Sequence, residues 1–314
     1  MADVSRSAGT DPVVMALGGN TLLGEDGTWN DDDQREAIAR SAKTVAEAVY
    51  AGNDVVLTHG NGPQVGNLLL EVEQSSETPT RPLDVLVAET QAQIGYVLQQ
   101  ELGNALAGVA DVVSLVTQVQ IDPEDPAFDN PSKPIGPTYT PKEAEERPFP
   151  TQPVANQEGS RRRVVPSPEP RRIVERDQIR SLVQDGTIAI CGGGGGVPVI
   201  DDGGLTGVEA VVDKDYTSYR LGLALSADRL IFLTDVPYAY LGFQSNDPEP
   251  LREVTPERMR QHLEKEAFGV GSMRPKVDAA VRFVEASGGM AAITTPDRCM
   301  AALDGADGTI ISQG

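Results

Sequence analysis

Val13-Val14-Met15-Ala16-Leu17-Gly18-Gly19-Asn20 decides the reading of the fold: five apolar residues in succession, then a glycine pair. So short an unbroken apolar run is the pattern of a strand buried on both faces of a parallel sheet, and the glycines supply the tight turn after it. The same grammar repeats outward from there. Asp31 to Asp33 offer N-caps to a segment with Ile38, Ser41, Val45, Ala48 and Val49 on one helical face, closed by Gly52. Val55 to Thr58 returns as a strand, His59-Gly60-Asn61-Gly62 turns, and Pro63 suits the first turn of a helix reaching about Val72. Asp84 to Leu106 reads as a long helix and Val112 to Thr117 as a strand. This alternation predicts an α/β fold whose strands are joined by right-handed crossovers, with ligands at the strands' carboxyl ends.

Between about Asp122 and Pro170 the periodicity stops and twelve prolines crowd in. A small inserted lobe is expected there, because Ile135, Tyr139, Phe149, Val164 and Val165 give the segment something to bury. Alternation then resumes, with helices predicted at Arg176 to Gln184, Asp213 to Leu225, Pro256 to Phe268 and Pro275 to Ala286. Strands are predicted at Thr187 to Cys191, Arg229 to Thr234, Ala291 to Thr295 and Thr309 to Ser312. A front and a back lobe are expected to meet around residues 170 to 190, with one sheet able to serve both.

The 314 residues carry 47 acidic and 26 basic side chains, a net charge of −21 distributed along the chain, which excludes a basic nucleic-acid-binding face. No apolar run approaches the ~18 residues of a membrane span, and Met1 to Asp11 lacks a secretory core, so a soluble protein of the cytoplasm is expected. Cys191 and Cys299 are too few for a disulfide framework and are expected to be buried. Twenty of the basic residues are Arg and six are Lys. Abundant acid with scarce lysine suggests adaptation to molar salt, as in a halophilic archaeon, where screening over ~3 Å makes self-repulsion tolerable.

Glycine turns follow several of the strands: Gly18-Gly19-Asn20, His59-Gly60-Asn61-Gly62 and Gly192 to Gly196, with Thr234-Asp235 closing another strand. Such turns let backbone N–H groups approach an anion, and together they point to phosphate chemistry, although any one of them is explained by turn geometry alone. Neither a P-loop nor a Rossmann glycine pattern is present. Lys43, Lys142 and Lys265 lie on predicted helices or their flanks and need only solvation. Lys133, Lys214 and Lys276 stand in unusual settings: Pro131-Ser132-Lys133-Pro134, Asp213-Lys214-Asp215 and Gly271-Ser272-Met273-Arg274-Pro275-Lys276. A compact ammonium lodges between phosphate oxygens without bidentate geometry, and phosphoryl transfer needs positive charge around the moving group. Asp213 and Asp215 either hold Lys214 or simply begin a solvated helix. His59 either touches substrate or caps its turn, and His262 reads as an ordinary helix residue.

In order from about residue 12 to 312, these motifs resemble the carbamate kinases of the amino acid kinase superfamily. Besides those quoted, Gln64-Val65-Gly66, Ile135-Gly136-Pro137, Arg163-Val164-Val165-Pro166-Ser167-Pro168, Gly207 to Asp215 and Leu233-Thr234-Asp235-Val236 carry the likeness. It implies a three-layer α/β/α sandwich with a mostly parallel central sheet and a Pro-rich inserted lobe. It also implies an N-terminal carbamoyl phosphate-binding lobe over residues 12–180, with 122–170 inserted, and a C-terminal nucleotide-binding lobe over 181–314. Relatives in the superfamily carry a lysine where Ala16 stands, and the resemblance assigns that charge to Lys133. By the same carry-over Lys214 and Lys276 stabilise the transferring group and Asp215 orients the lysines. Gly18, Gly19, Asn20, Gly60, Asn61 and Gly62 line the carbamoyl phosphate site, while Asp213, Thr234, Asp235, Met273 and Lys276 belong to the nucleotide site. A homodimer is implied, with Mg²⁺ carried by the ADP or ATP phosphates and no protein metal site. Arg161-Arg162-Arg163 departs from the pattern, an aromatic residue being expected in its middle. The implied reaction makes ATP and carbamate from carbamoyl phosphate and ADP, in arginine fermentation. A superfamily kinase acting on another carboxylate or phosphate would need a cationic anchor for its extra acidic group, and a non-catalytic nucleotide-binding regulator would have lost one of the three lysines, none of which is lost.

Overall fold

In the computed structural model, which describes residues 11–22, 31–75, 79–154, 157–243, 245, 247–268 and 272–314, the opening apolar run is β1 (Val13–Leu17), buried throughout. α1 (Asp31–Tyr50) follows; the Asp31 side chain, expected as a cap, lies outside the described residues. Next come β2 (Val55–His59), α2 (Gly62–Gln74) with Pro63 in its first turn, and α3 (Leu83–Leu106). The predicted strand over 112–117 is instead two, β3 (Val112–Ser114) and β4 (Gln118–Gln120). Gln91 on α3 holds the junction between them: its amide accepts from Thr117 N at 2.9 Å and donates to Thr117 O at 3.1 Å, and Thr117 O also accepts from Val197 N at 2.8 Å as the chain enters a second sheet with β10 (Val197–Asp201).

The inserted lobe is an antiparallel sheet of β5 (Lys133–Tyr139), β6 (Thr151–Pro153) and β7 (Arg161–Val165) in the order β5-β7-β6, with α4 (Pro141–Glu145) beside it. Ile135, Tyr139, Val164 and Val165 are buried, and the Phe149 ring lies under the Arg163 guanidinium at 4.7 Å. Two of the three consecutive arginines are held by the lobe's own backbone, Arg161 donating to Thr151 O and Arg162 to Gly136 O, while Arg163 pairs with Glu209 at 3.1 Å.

The chain continues through β8 (Arg172–Ile173), α5 (Arg176–Gln184), β9 (Ile188–Ile190), β10 (Val197–Asp201), β11 (Leu205–Gly207), α6 (Lys214–Leu225) and β12 (Arg229–Leu233). β13 (Ala239–Leu241), β14 (Glu249–Leu251), β15 (Glu253–Val254), α7 (Pro256–Glu264), α8 (Met273–Ser287), β16 (Met290–Thr294), α9 (Cys299–Leu303) and β17 (Thr309–Ile311) complete it. α7 stops short of the predicted Phe268 because Glu266 takes a left-handed conformation, φ 54°, that a helix cannot continue through.

One sheet runs through the molecule in the order β15-β17-β16-β12-β1-β2-β9-β3. Its strands are parallel except that β17 runs antiparallel to β16 and carries β15 with it. Alternate residues of β1 enter different cores. Val14 and Ala16 join Leu221, Val277 and Phe283 beneath α6 and α8, whereas Val13, Met15 and Leu17 join Ile38, Val45 and Leu98 beneath α1 and α3. A strand buried on both faces between two helical layers is why the opening pattern is uniformly apolar. Both cysteines are buried and free.

Candidate active site

β12, β1 and β2 are neighbours in register, Leu233 pairing with Leu17 and Leu17 with His59. Their following residues, Thr234, Gly18 and Gly60, therefore emerge together at the carboxyl edge of the sheet, where open α/β folds bind ligands. The two glycine turns press against each other. A Cβ on Gly60 would lie 2.8 Å from Gly19 N, too close for a larger residue, and one on Gly18 would press on Leu233 O at 3.0 Å. Asn20 opens the 3-10 turn Asn20–Leu22, its side chain lying outside the described residues. Gly62 begins α2, and Asn61, instead of capping that helix, donates its amide to Thr90 Oγ1 at 2.9 Å.

Lys214 and Asp215 occupy the first turn of α6, which is tied over β2 by a 2.7 Å hydrogen bond between the Thr58 and Ser218 hydroxyls. Lys276 lies in the first turn of α8, packed beside α6; Gly222 is glycine because a Cβ there would meet Phe283 at 2.8 Å. Asp215 sits between the two lysines, one carboxylate oxygen on Lys214 Nζ and the other 3.2 Å from Lys276 Nζ. All three side chains are 10 % exposed or less. Burial alone would raise the Asp215 carboxyl, but the Lys214 and Lys276 ammonium groups hold it below the usual carboxylate range. Burial, helped by Lys276, lowers Lys214 against the pull of Asp215.

Lys133 reaches this group from the lobe, its Nζ 2.6 Å from Asp213 Oδ2. Burial opposes its charge, yet Asp213 and Asp215 raise it above the ordinary lysine value. Asp213 also caps α6, its Oδ1 accepting from Asp215 N at 3.0 Å. Three ammonium groups thus converge on two carboxylates that are already committed to them, leaving a net positive site at two helix N-termini, suited to a phosphorylated anion.

His59 is 1 % exposed, and its Nδ1 lies 3.0 Å from Gly60 O. A carbonyl only accepts, so Nδ1 carries the proton and Nε2 is left as an acceptor. Burial, and then the Lys214 ammonium, push the imidazole down to about 4, against the contact with Gly60. It is neutral at physiological pH.

The Gly192 to Gly196 turn, expected as an anion cradle, lies against the rest of the site. A Cβ on Gly193 would come within 2.5 Å of the His59 ring, one on Gly194 within 2.1 Å of the Asn61 amide, and one on Gly195 within 2.0 Å of Val212 O. The turn locks the β2–α2 turn to the segment leading into α6. Thr234 donates to Asp235 Oδ1 at 3.1 Å at the end of β12, and Met273 begins α8 against the core; Gly271, also expected in this motif, lies outside the described residues. Thr90 and Gln91 had no role in the sequence reading; polar residues on the buried face of an otherwise apolar helix were the available signal.

A family model described as the amino acid kinase family matches residues 11–294. The chain is 47 % identical over 301 residues to a carbamate kinase of Halobacterium salinarum, spanning 95 % of this chain and 97 % of that protein. It is 42 % identical over 308 residues to carbamate kinase 2 of Enterococcus faecalis, spanning 96 % and 98 %. A solved structure of carbamate kinase from Giardia lamblia bound to AMP-PNP aligns with a TM-score of 0.90 at 36 % identity, over 98 % of this chain and all of that one (100 %).

Proposed function

The chain belongs to the amino acid kinase family, and from that premise we propose that it is a carbamate kinase, moving a phosphoryl group between carbamoyl phosphate and ADP. Likeness to curated carbamate kinases over nearly the whole chain supports the activity. The observation that carries the site is the convergence of Lys133, Lys214 and Lys276 on Asp213 and Asp215.

An oxygen of the ADP β-phosphate attacks the phosphorus of carbamoyl phosphate in line. The bond to the carbamoyl oxygen breaks, and carbamate leaves and decays to ammonia and carbon dioxide. Lys214 and Lys276, fixed by Asp215, meet the oxygens of the moving group, and Lys133 supplies the charge missing at Ala16. Gly18, Gly19, Asn20, Gly60, Asn61 and Gly62 hold the carbamoyl phosphate. Asp213, Thr234, Asp235, Met273 and Lys276 face the nucleotide; that the chain binds a nucleotide at all is supported by its likeness to the AMP-PNP-bound relative. Mg²⁺ arrives as part of the nucleotide substrate: the oxygens of Asp215 are taken by lysines, and those of Asp213 by Lys133 and a backbone N–H. Residues 12–180 form the carbamoyl phosphate lobe, with 122–170 inserted, and 181–314 the nucleotide lobe.

The working form is a homodimer in the cytoplasm. Exposed Tyr96 and Val116 beside β3, the last strand of the sheet, offer an apolar face to a second copy. Among the described residues no helix is long and apolar enough to cross a membrane. The net charge of −21 and the Halobacterium relative support a salt-adapted enzyme; its place is in arginine fermentation, making ATP. A coupled assay with ADP, Mg²⁺ and carbamoyl phosphate in molar KCl should form ATP, with less formed in dilute buffer. No ATP at any salt concentration would refute the activity.

A further inference from the structure

Gln64 takes part in none of the contacts described above. It is the third residue of α2, 1 % exposed, and neither its amide nitrogen nor its amide oxygen has a hydrogen-bond partner. Native proteins keep few such groups, because each carries its desolvation penalty with nothing in return. The neighbouring amides are satisfied, Asn61 by Thr90 and Gln91 by Thr117. Side chains of a helix lean toward its N-terminus, so Gln64 leans over the His59 to Gly62 turn. That turn abuts the other substrate glycines, Pro63 Cδ being 3.9 Å from where a Cβ on Gly19 would stand. No side chain caps this end of α2. An uncapped helix N-terminus and a buried amide with both ends unanswered are two independent marks of a polar, uncharged group that joins them.

We propose that the Gln64 carboxamide reads the carbamoyl group, its Nε2–H donating to the substrate's carbonyl oxygen and its Oε1 accepting from the substrate's amino group. The proposal rests on the carbamate kinase reading and deepens it. A primary amide presents one donor and one acceptor side by side, as H₂N–C=O does, so the two make a planar pair of hydrogen bonds. A lysine or arginine there would read the oxygen alone. Acetyl phosphate sets a methyl where the amino group belongs, leaving Oε1 buried and unanswered. Sites built to hydrogen-bond a substrate N–H reject the analogue lacking it far more strongly than apolar pockets reject a missing methylene.

The test measures ATP formation from ADP with carbamoyl phosphate or acetyl phosphate, for the wild type, Gln64→Met and Gln64→Leu. In kcat/KM the wild type should prefer carbamoyl phosphate by on the order of 10² or more, and each variant should bring that ratio toward one, chiefly by losing activity on carbamoyl phosphate. The ligand-free variants should also melt at higher temperature, since an apolar side chain removes two unsatisfied groups. A wild type without preference overturns the proposal, as do variants in which both substrates fall by the same factor. Variants that no longer fold overturn it too, because a side chain without partners in the free protein does not hold the fold. A wild type that makes no ATP from carbamoyl phosphate is a separate result, which removes the activity itself and this proposal with it.

Discussion

Lys214 and Lys276 stand on the first turns of helices packed over the central sheet, each at most 10 % exposed, whereas Lys133 stands on a three-stranded lobe with 34 % of its side chain open to solvent. The first two are held by one carboxylate that has no other role, and the third by one that also caps α6. The difference separates two ways of supplying charge. The sheet half carries positive charge that is organised in advance and expensive to build, since burial works against Lys214 and Asp215, with a smaller pull from Asp213, offsets it only in part. The lobe is anchored by Ile135 and Val165 in a third core with Leu69, Leu86 and Val197, and delivers its charge across the separate, part-exposed contact between Lys133 and Asp213. The fixed half should therefore answer for both stability and rate, and the lobe for rate alone.

The largest effect should come from Asp215→Asn, which keeps the shape of the side chain and takes from two buried ammonium groups the one carboxylate that both of them contact. Breaking such a group should destabilise the fold by about 3–5 kcal/mol, read as the urea unfolding midpoint in molar KCl. A loss below ~1 kcal/mol, the range of exposed pairs, would erase the distinction between the two halves. Lys133→Met should act next and on rate alone: kcat should fall by at least ~10²-fold, the scale for removing one preorganised charge contact, while stability changes by less than ~1 kcal/mol. Near-normal turnover would mean that the lobe does not complete the site. A large stability loss would mean that it is part of the rigid half.

Sequence made the rigid half legible for a physical reason. Parallel strands buried on both faces are uniformly apolar, so β1 and β12 were found to within a residue and their glycine turns with them. What escaped was non-local. Nothing in Val112 to Thr117 shows that Gln91 of α3 and Val197 of β10 will take up the backbone of Thr117 where the predicted strand divides. The Asp213–Lys133 contact joins residues 80 apart in the chain, and a local reading left Asp213 as a neighbour of Lys214. The glycines from Gly192 to Gly196 were conspicuous, yet the shapes they accommodate, His59 and Asn61, arrive from another strand. Gln64 sat inside a quoted motif without a role, because a residue's type does not reveal whether its hydrogen bonds are met.

The smallest of the three effects concerns His59 and sharpens the contrast, since it puts a pH dependence in the fixed half that the lobe lacks. Lys133 is raised above the ordinary lysine value and stays charged across the range. His59 is pushed down to about 4 by burial and by Lys214, against about 6.5 when unfolded. Between those values the unfolded chain binds a proton that the native chain refuses, so stability rises with pH through this window and is lost as pH falls through it. Going from pH 7 to pH 5 this one group should remove about 2 kcal/mol. His59→Asn, which does not titrate, should lose that much less over the same interval, as read from urea midpoints of both proteins at pH 7, 6 and 5. Carboxylates such as Asp215 contribute their own acid loss, but equally to both proteins, so the difference isolates the imidazole. Parallel pH profiles would show that the native site accepts the proton. A third positive charge would then stand beside Lys214, and the fixed half would be more open to water than its burial and its glycine packing imply.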